Sequence, residues 1–249
     1  MKVVYHHRFK EIYADDPAAA AGRMEGILRE VSNRFELVAP DAAKVDDIRL
    51  VHSDEHIKYI RNMGLTYDIA LLSAGGAIKA SELAMDGEPA FGLIRPPGHH
   101  ASRDRCWGFC FFNNMAISIA KLKAEGKIER ALILDIDLHF GDGTDNIFRD
   151  VPEVVYFHPE ATYREEFVNS ISRFLANAKA DIVAVSAGFD RHEHDWGELL
   201  KTEDYETIGR LVKESAQSIC QGRRYAVLEG GYNHNVLGKN VVALLQGMS

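Results

Sequence analysis

Ala131-Leu132-Ile133-Leu134 runs directly into Asp135-Ile136-Asp137-Leu138-His139-Phe140-Gly141-Asp142-Gly143. An unbroken apolar run reads as a strand buried on both faces, which is the pattern of a parallel sheet covered by helices. The residues after it are chemically different: three aspartates and a histidine, followed by glycines that permit a sharp turn and close approach of a ligand. Asp137 and His139 are two apart, so in extended chain they point to the same side. In open parallel sheets ligands bind beyond the carboxyl ends of the strands. The segment therefore predicts both an architecture and the edge of it to search.

Three more apolar runs end in the same way. Ala90 to Ile94 leads into Arg95-Pro96-Pro97-Gly98-His99-His100, Ile182 to Val185 into Ser186-Ala187-Gly188-Phe189-Asp190, and Ala226 to Leu228 into Glu229-Gly230-Gly231-Tyr232. Val154 to Phe157 reads as another strand and Lys2 to Tyr5 as the first. Helical spacing fills the intervals over Asn113–Ala124, Thr144–Arg149, Tyr163–Ala178, Thr202–Cys220 (opened by a Thr-x-x-Asp-like box) and Asn235–Leu245. Upstream, Met24, Ile27, Leu28 and Val31 mark a helix within Ala18–Arg34. Ser53 caps one carrying His56, Ile57 and Ile60. Thr66–Met85 reads as a helix despite Gly75-Gly76, which allow either close packing or a bend. Strands alternating with helices predict one α/β domain over residues 1–249, with helices on both faces of the sheet.

Composition narrows the function. The chain has 249 residues, 46% hydrophobic and 27% charged, which is globular rather than disordered or coiled-coil. Its 29 basic and 37 acidic side chains leave a net charge of −8, and with no Lys/Arg block this argues against nucleic acid. No apolar run approaches the roughly 20 residues of a membrane span, and Met1-Lys2-Val3-Val4-Tyr5-His6-His7 turns polar too soon for a secretory signal. Cys106, Cys110 and Cys220 are an odd number without a Cys-x-x-Cys, so neither a disulfide framework nor a thiolate zinc site fits. A cytoplasmic protein with no membrane partner is expected.

Taken singly, each strand-end motif has an ordinary reading: Asp-x-Asp as a helix cap, His-His as a loop element, Gly-Gly-Tyr as almost nothing. Together at four strand ends they predict a metal hydrolase. Asp137, His139 and Asp190 form a three-ligand set with an open position, the arrangement of a catalytic rather than a structural ion. Oxygen and nitrogen donors suit Zn²⁺ and also Fe²⁺, Mn²⁺ or Co²⁺.

The segments Arg95–Ala101, Gly108–Asn114, Asp135–Thr144, Ser186–Asp190 and Glu229–Tyr232 resemble, in order, the motifs of the zinc-dependent histone deacetylase family, which includes the acetylpolyamine deacetylases. The resemblance implies the arginase/deacetylase fold, a three-layer α/β/α sandwich around a mainly parallel sheet. It implies zinc on Asp137, His139 and Asp190, and tandem histidines His99 and His100 with Asp135 and Asp142 as their carboxylate partners. His100 is then the candidate for both proton transfers. Gly108 and Phe109 would line the acyl channel, and Tyr232 would face the scissile carbonyl. The substrate would be an acetylated primary amine, either a small molecule such as an acetylpolyamine or acetylated lysine. The alternatives are a binuclear ureohydrolase-like enzyme of the same superfamily and a protein that binds a metal or acetylated ligand without catalysis.

The chain departs from the family pattern in places. Between Phe157 and Phe174 it lacks the long glycine-rich excursion that carries a second aromatic wall of the channel, so a shorter and more open site is expected. Tyr156 replaces the serine that, two residues before His158, helps hold a monovalent cation, which puts potassium in question. Phe140 stands where relatives often have histidine and reads as packing. The loop Arg191–Glu198 reads as solvated, or else Glu193, Asp195 or Glu198 contacts a cationic substrate with Trp196 offering a cation–π face. His192 and His194 read as loop histidines, Arg103 to Trp107 as the rim, and Cys106 and Cys110 as packing rather than nucleophiles.

Overall fold

The computed structural model describes residues 1–249. Its strands are β1 (Lys2–Val4), β2 (Glu36–Val38), β3 (Ala90–Gly92), β4 (Ala131–Asp135), β5 (Val154–Phe157), β6 (Ile182–Ala187) and β7 (Arg224–Leu228). They form one sheet in the order β2-β1-β3-β7-β6-β4-β5, and every neighbouring pair is parallel. The central strands β3, β4, β6 and β7 are buried along their whole length. That burial matches their uninterrupted apolar sequences.

The helices are α1 (Arg23–Val31), α2 (Val45–Arg49), α3 (Asp54–Arg61), α4 (Leu65–Met85), α5 (Asn114–Ala124), α6 (Asp142–Phe148), α7 (Arg164–Ala176), α8 (Thr202–Ile219) and α9 (His234–Met248). A parallel strand-to-strand crossover is right-handed in nearly all cases, so the direction of travel across the sheet decides the face a helix covers. Connections containing α2 to α6 step one way, and those containing α1, α7 and α8 step back. Accordingly α4 packs with α5 against β3 and β7, while α8 packs with α9 and α7 against β6 and β7. The predicted α/β/α layering is present.

Several helix details have identifiable causes. Helix α4 continues unbroken through Gly75-Gly76, where a Cβ on Gly75 would collide with the Asp41 carbonyl and one on Gly76 with Ile94. The glycines therefore serve close packing and not a bend. Strand β2 and helix α2 were not expected: β2 has only three residues, mostly exposed, and α2 only five, too short for periodicity to register. Helix α6 starts at Asp142 and not Thr144. The box at the start of α8 lies one residue earlier than expected, with the Lys201 N–H donating to Asp204 Oδ2 at 2.8 Å. The Thr202 hydroxyl bonds Asn240 Oδ1 of α9 instead, at 2.7 Å. No helix is long and apolar enough to cross a membrane.

Register brings the strand ends level. Asp135 of β4 lies opposite Ser186 of β6, and Ala187 opposite Leu228 of β7. The loop from Ala101 to Asn113 is tied down by His52, whose Nδ1 lies 2.9 Å from the Ser102 carbonyl while its Nε2 accepts the Asn113 N–H at 2.9 Å. A carbonyl only accepts and an amide only donates, so His52 is the neutral Nδ1–H tautomer. Burial pushes its pKa down to about 3 from 6.5. A depressed pKa gives stability that is complete above 6.5 and lost as pH falls toward 3. His52 is thus expected to add a pH slope of about one proton to thermal denaturation, roughly 1.4 kcal/mol per unit below pH 6.5. That slope should be missing in His52→Gln, and an identical slope in the variant would contradict it.

Candidate active site

Asp137 and Asp190 are locked by backbone amides. Asp137 accepts the His139 N–H at 2.9 Å on Oδ1 and the Gly230 N–H at 2.8 Å on Oδ2. Asp190 Oδ1 accepts the Leu138 N–H at 3.0 Å. The remaining oxygen, Asp190 Oδ2, is buried without a hydrogen-bond partner, 3.2 Å from His139 Nδ1. His139 Nδ1 also lies 3.3 Å from Asp137 Oδ1. Ligand atoms of the three residues fall within 4.8 Å of one another. Leaving a buried carboxylate oxygen unpaired is costly, and a divalent cation among these three donors would satisfy it. Glycines make room, since a Cβ at Gly230 would stand 2.6 Å from Asp137 Oδ2 and 2.8 Å from Asp190 Oδ2. The residues present fit the ion that the sequence predicts.

Electrostatics point to the same spot. Burial, reinforced by the Asp137 charge, pushes the Asp190 carboxyl up to about 6. Burial acts in the same direction on Asp137, but the His99 charge and hydrogen bonds from His139 and Gly230 outweigh it and hold this carboxyl well below its ordinary value. The Asp137 and Asp190 carboxylates beside its ring raise His139 to about 10. Two carboxylates thus draw positive charge to one point.

The tandem histidines have different surroundings. His99 Nδ1 meets Asp135 Oδ2 at 3.0 Å, and His100 Nδ1 meets Asp142 Oδ1 at 2.8 Å. Burial opposes protonation of both. In His99 the Asp137 and Asp135 charges overcome it and raise the pKa well above 6.5. In His100 burial wins, helped by the His99 charge, and the pKa falls to about 4. His100 is therefore neutral at physiological pH, with Nδ1–H held by Asp142 and Nε2 free to accept a proton. Trp107, expected only on the rim, donates its indole N–H to both Asp142 oxygens at 3.0 Å and lies over the His100 ring at a centroid distance of 4.0 Å.

His99, His100, Gly108, Phe109, His139 and Tyr232 line a cavity of about 130 Å³ together with Pro97, Trp107, Trp196 and Gly230. Phe109, in the left-handed region at φ 65°, meets the Tyr232 ring edge-on at 5.9 Å. Trp196 stacks on Tyr232 at 4.1 Å and meets His139 edge-on at 6.1 Å. The channel therefore has a second aromatic wall after all, supplied by the loop after Asp190 and not by the shortened segment before Phe174. The expectation of a more open site is corrected to that extent. Arg23 fixes the Tyr232 turn from behind, donating to the Gly231 carbonyl at 2.9 Å and the Glu229 carbonyl at 2.7 Å.

Other expectations separate in the structure. Asp195 is not free for a substrate, because its Oδ2 accepts the N–H groups of Tyr232 and Asn233, each at 2.8 Å. Glu193 and Glu198 are exposed and outside the cavity lining. His192 is buried and accepts the His194 N–H at 3.1 Å on Nδ1. Burial raises the thiols of Cys106 and Cys110, which does not suit nucleophiles. His99, Cys110 and Glu229 form a second buried cluster. There Glu229 Oε2 accepts the Gly98 and His99 N–H groups at 2.7 and 3.2 Å, so it braces the histidine loop. Phe140, 45% exposed, packs edge-on against Tyr156 and His158.

The backbone superposes on the crystal structure of the HDA15 HD domain with a TM-score of 0.86, over 98% of this chain and 88% of that one, at 21% identity. A probable deacetylase of Methanothermobacter thermautotrophicus is 32% identical over 92% of this chain and 84% of its own length. The acetylpolyamine amidohydrolase of Mycoplana ramosa is 30% identical over 74% of this chain and 64% of its own. Residues 62–159 and 158–248 match the histone deacetylase domain family. With fold, motif order and sequence in agreement over most of its length, the chain belongs to the histone deacetylase family.

Proposed function

We propose that the protein is a zinc-dependent deacetylase of small acetylated amines of the polyamine type, with residues 1–249 acting as one catalytic domain. The observation that carries this reading is the orphaned Asp190 Oδ2, converging with Asp137 and His139 beneath a cavity lined by His100 and Tyr232. Three ligands with an open position are a zinc arrangement. The small-amine substrate is supported by the cavity, whose roughly 130 Å³ is well below the 300–1,000 Å³ of pockets that enclose drug-sized ligands. It is also supported by the acidic net charge, by the half-exposed Trp196 face open to a cationic chain, and by similarity to an acetylpolyamine amidohydrolase.

Zinc on Asp137, His139 and Asp190 would polarise the amide carbonyl and lower the pKa of the attacking water toward about 7. The chain's own groups do the rest. His100 takes a proton from the water at Nε2, with Asp142 holding Nδ1–H so that the imidazolium is stabilised as it forms. The same proton then passes to the amine nitrogen as the C–N bond breaks, leaving acetate and a free amine. Burial and the nearby Asp137 charge keep the Tyr232 phenol protonated, so it can donate to the carbonyl oxygen as negative charge grows there. Phe109 and Trp196 flank the acyl group and exclude water from it.

The test is a substrate panel with zinc-reconstituted protein, alongside metal counting. Acetylated polyamines are expected to show higher kcat/KM than acetyl-lysine peptides or free acetylated amino acids, at one ion per chain. A preference for peptides would overturn the substrate class. Two ions per chain would favour binuclear, ureohydrolase-like chemistry, and no hydrolysis by the loaded protein would leave only a binding role.

A further inference from the structure

Arg191 follows the ligand Asp190 directly and is buried, only 6% exposed. Its guanidinium turns back beneath the metal-ligand turn. Nε donates to the Asp137 carbonyl at 2.9 Å, and Nη2 lies 3.2 Å from the Leu138 carbonyl. Nη2 also points at His158 Nε2 at 2.8 Å and the Pro159 carbonyl at 3.3 Å, and the group sits 4.8 Å over the Phe167 ring of α7. An arginine always donates, so His158 is neutral, with its proton on Nδ1. One side chain thus links all three candidate ligands: its backbone continues Asp190, and its head holds the two carbonyls between Asp137 and His139.

The same region is where the resemblance implies a monovalent cation, and the residues present do not fit one. The Tyr156 hydroxyl donates to Asp135 Oδ2 and accepts the Gly141 N–H, both at 2.8 Å. Asp135 Oδ2 also takes His99 Nδ1, and Oδ1 takes the Asp137 N–H at 3.1 Å. The oxygens around Tyr156, the Asp135 carboxylate and the carbonyls of the ligand turn, are already bonded to donors belonging to the chain.

We propose that Arg191, braced by His158 and Phe167 and complemented by the Tyr156 hydroxyl, is a positioning residue that acts as a built-in cation for the metal-ligand turn. Hydrolysis by this protein is therefore independent of monovalent salt. The inference rests on the proposed metal-dependent function. A guanidinium differs from a bound ion in being permanent and forked, so it fixes the spacing of two carbonyls as well as supplying charge. Its loss acts on the ligands indirectly, through the Asp137 and Leu138 carbonyls it holds.

The experiment compares wild type, Arg191→Met and Arg191→Lys by zinc titration and by hydrolysis in potassium, sodium or choline chloride at equal ionic strength. Wild type is expected to work equally in all three salts. Arg191→Met should bind zinc roughly 10–100-fold more weakly and be faster in potassium than in choline, while Arg191→Lys recovers part of the zinc affinity. A purely structural role predicts no new salt preference, and that result overturns the proposal. So does wild-type activity that rises with potassium, a measurement that stands even if Arg191→Met does not fold. Wild type that takes up no zinc would overturn the deacetylase reading itself, a distinguishable outcome.

Discussion

Asp190→Asn is expected to abolish zinc binding and to lower hydrolysis by at least about 10³-fold, since the metal contributes several kcal/mol to the transition state and each 1.36 kcal/mol is tenfold. Metal-free stability should not suffer. Asparagine keeps the shape and still accepts the Leu138 N–H through the equivalent of Oδ1. What it removes is a carboxylate that burial and the neighbouring Asp137 push up to about 6. A raised carboxyl pKa is a destabilisation at neutral pH that is relieved as pH falls through about 6. The metal-free variant should therefore melt at or above metal-free wild type, and lose the zinc-induced rise in Tm that binding to the native state produces. Differential scanning with and without zinc reads both signs. A lower metal-free Tm would make Asp190 a structural residue, and an undiminished zinc response would remove it from the ligand set.

What could be read from sequence depended on how local the cause was. The strands β3, β4, β6 and β7 were legible because burial on both faces demands unbroken apolar runs, and the functional residues sit next to those runs. Asp137, His139 and Asp190 come together because parallel pairing aligns the ends of β4 and β6. Strand β2, with Glu36 and Leu37 exposed, has no such run. Trp107, Trp196 and Arg191 were visible as residues, but their roles were not. Each acts through a tertiary contact: an indole on Asp142, a ring against Tyr232, a guanidinium under the 137–138 peptide. The alternative that Asp195 contacts a substrate fails for a related reason. An acidic residue in a polar loop looks available, and only the folded chain reveals two backbone amides on its carboxylate. Tyr156 was flagged as a departure, although its bonds to Asp135 and Gly141 depend on the β4–β5 pairing.

Tyr232→Phe should lower kcat by about 10²–10³-fold, the usual effect of deleting an oxyanion donor, with little change in KM, zinc affinity or Tm. The structure makes this a clean deletion because the ring is held by contacts that phenylalanine keeps. The backbone N–H groups of Tyr232 and Asn233 remain on Asp195, Arg23 still holds the Gly231 carbonyl, and the ring still stacks on Trp196 and meets Phe109 edge-on. The hydroxyl itself makes no hydrogen bond within the protein, so its removal leaves no buried partner stranded. The split between kcat and KM follows from the charge it faces. The ground-state carbonyl is nearly neutral and loses little, whereas the oxygen carries close to a full negative charge in the tetrahedral transition state, inside a cavity where a donor counts for more than in water. A comparable rise in KM would instead place the hydroxyl in substrate binding. A variant with near-wild-type kcat would remove Tyr232 from the chemistry and leave the oxyanion to the metal alone.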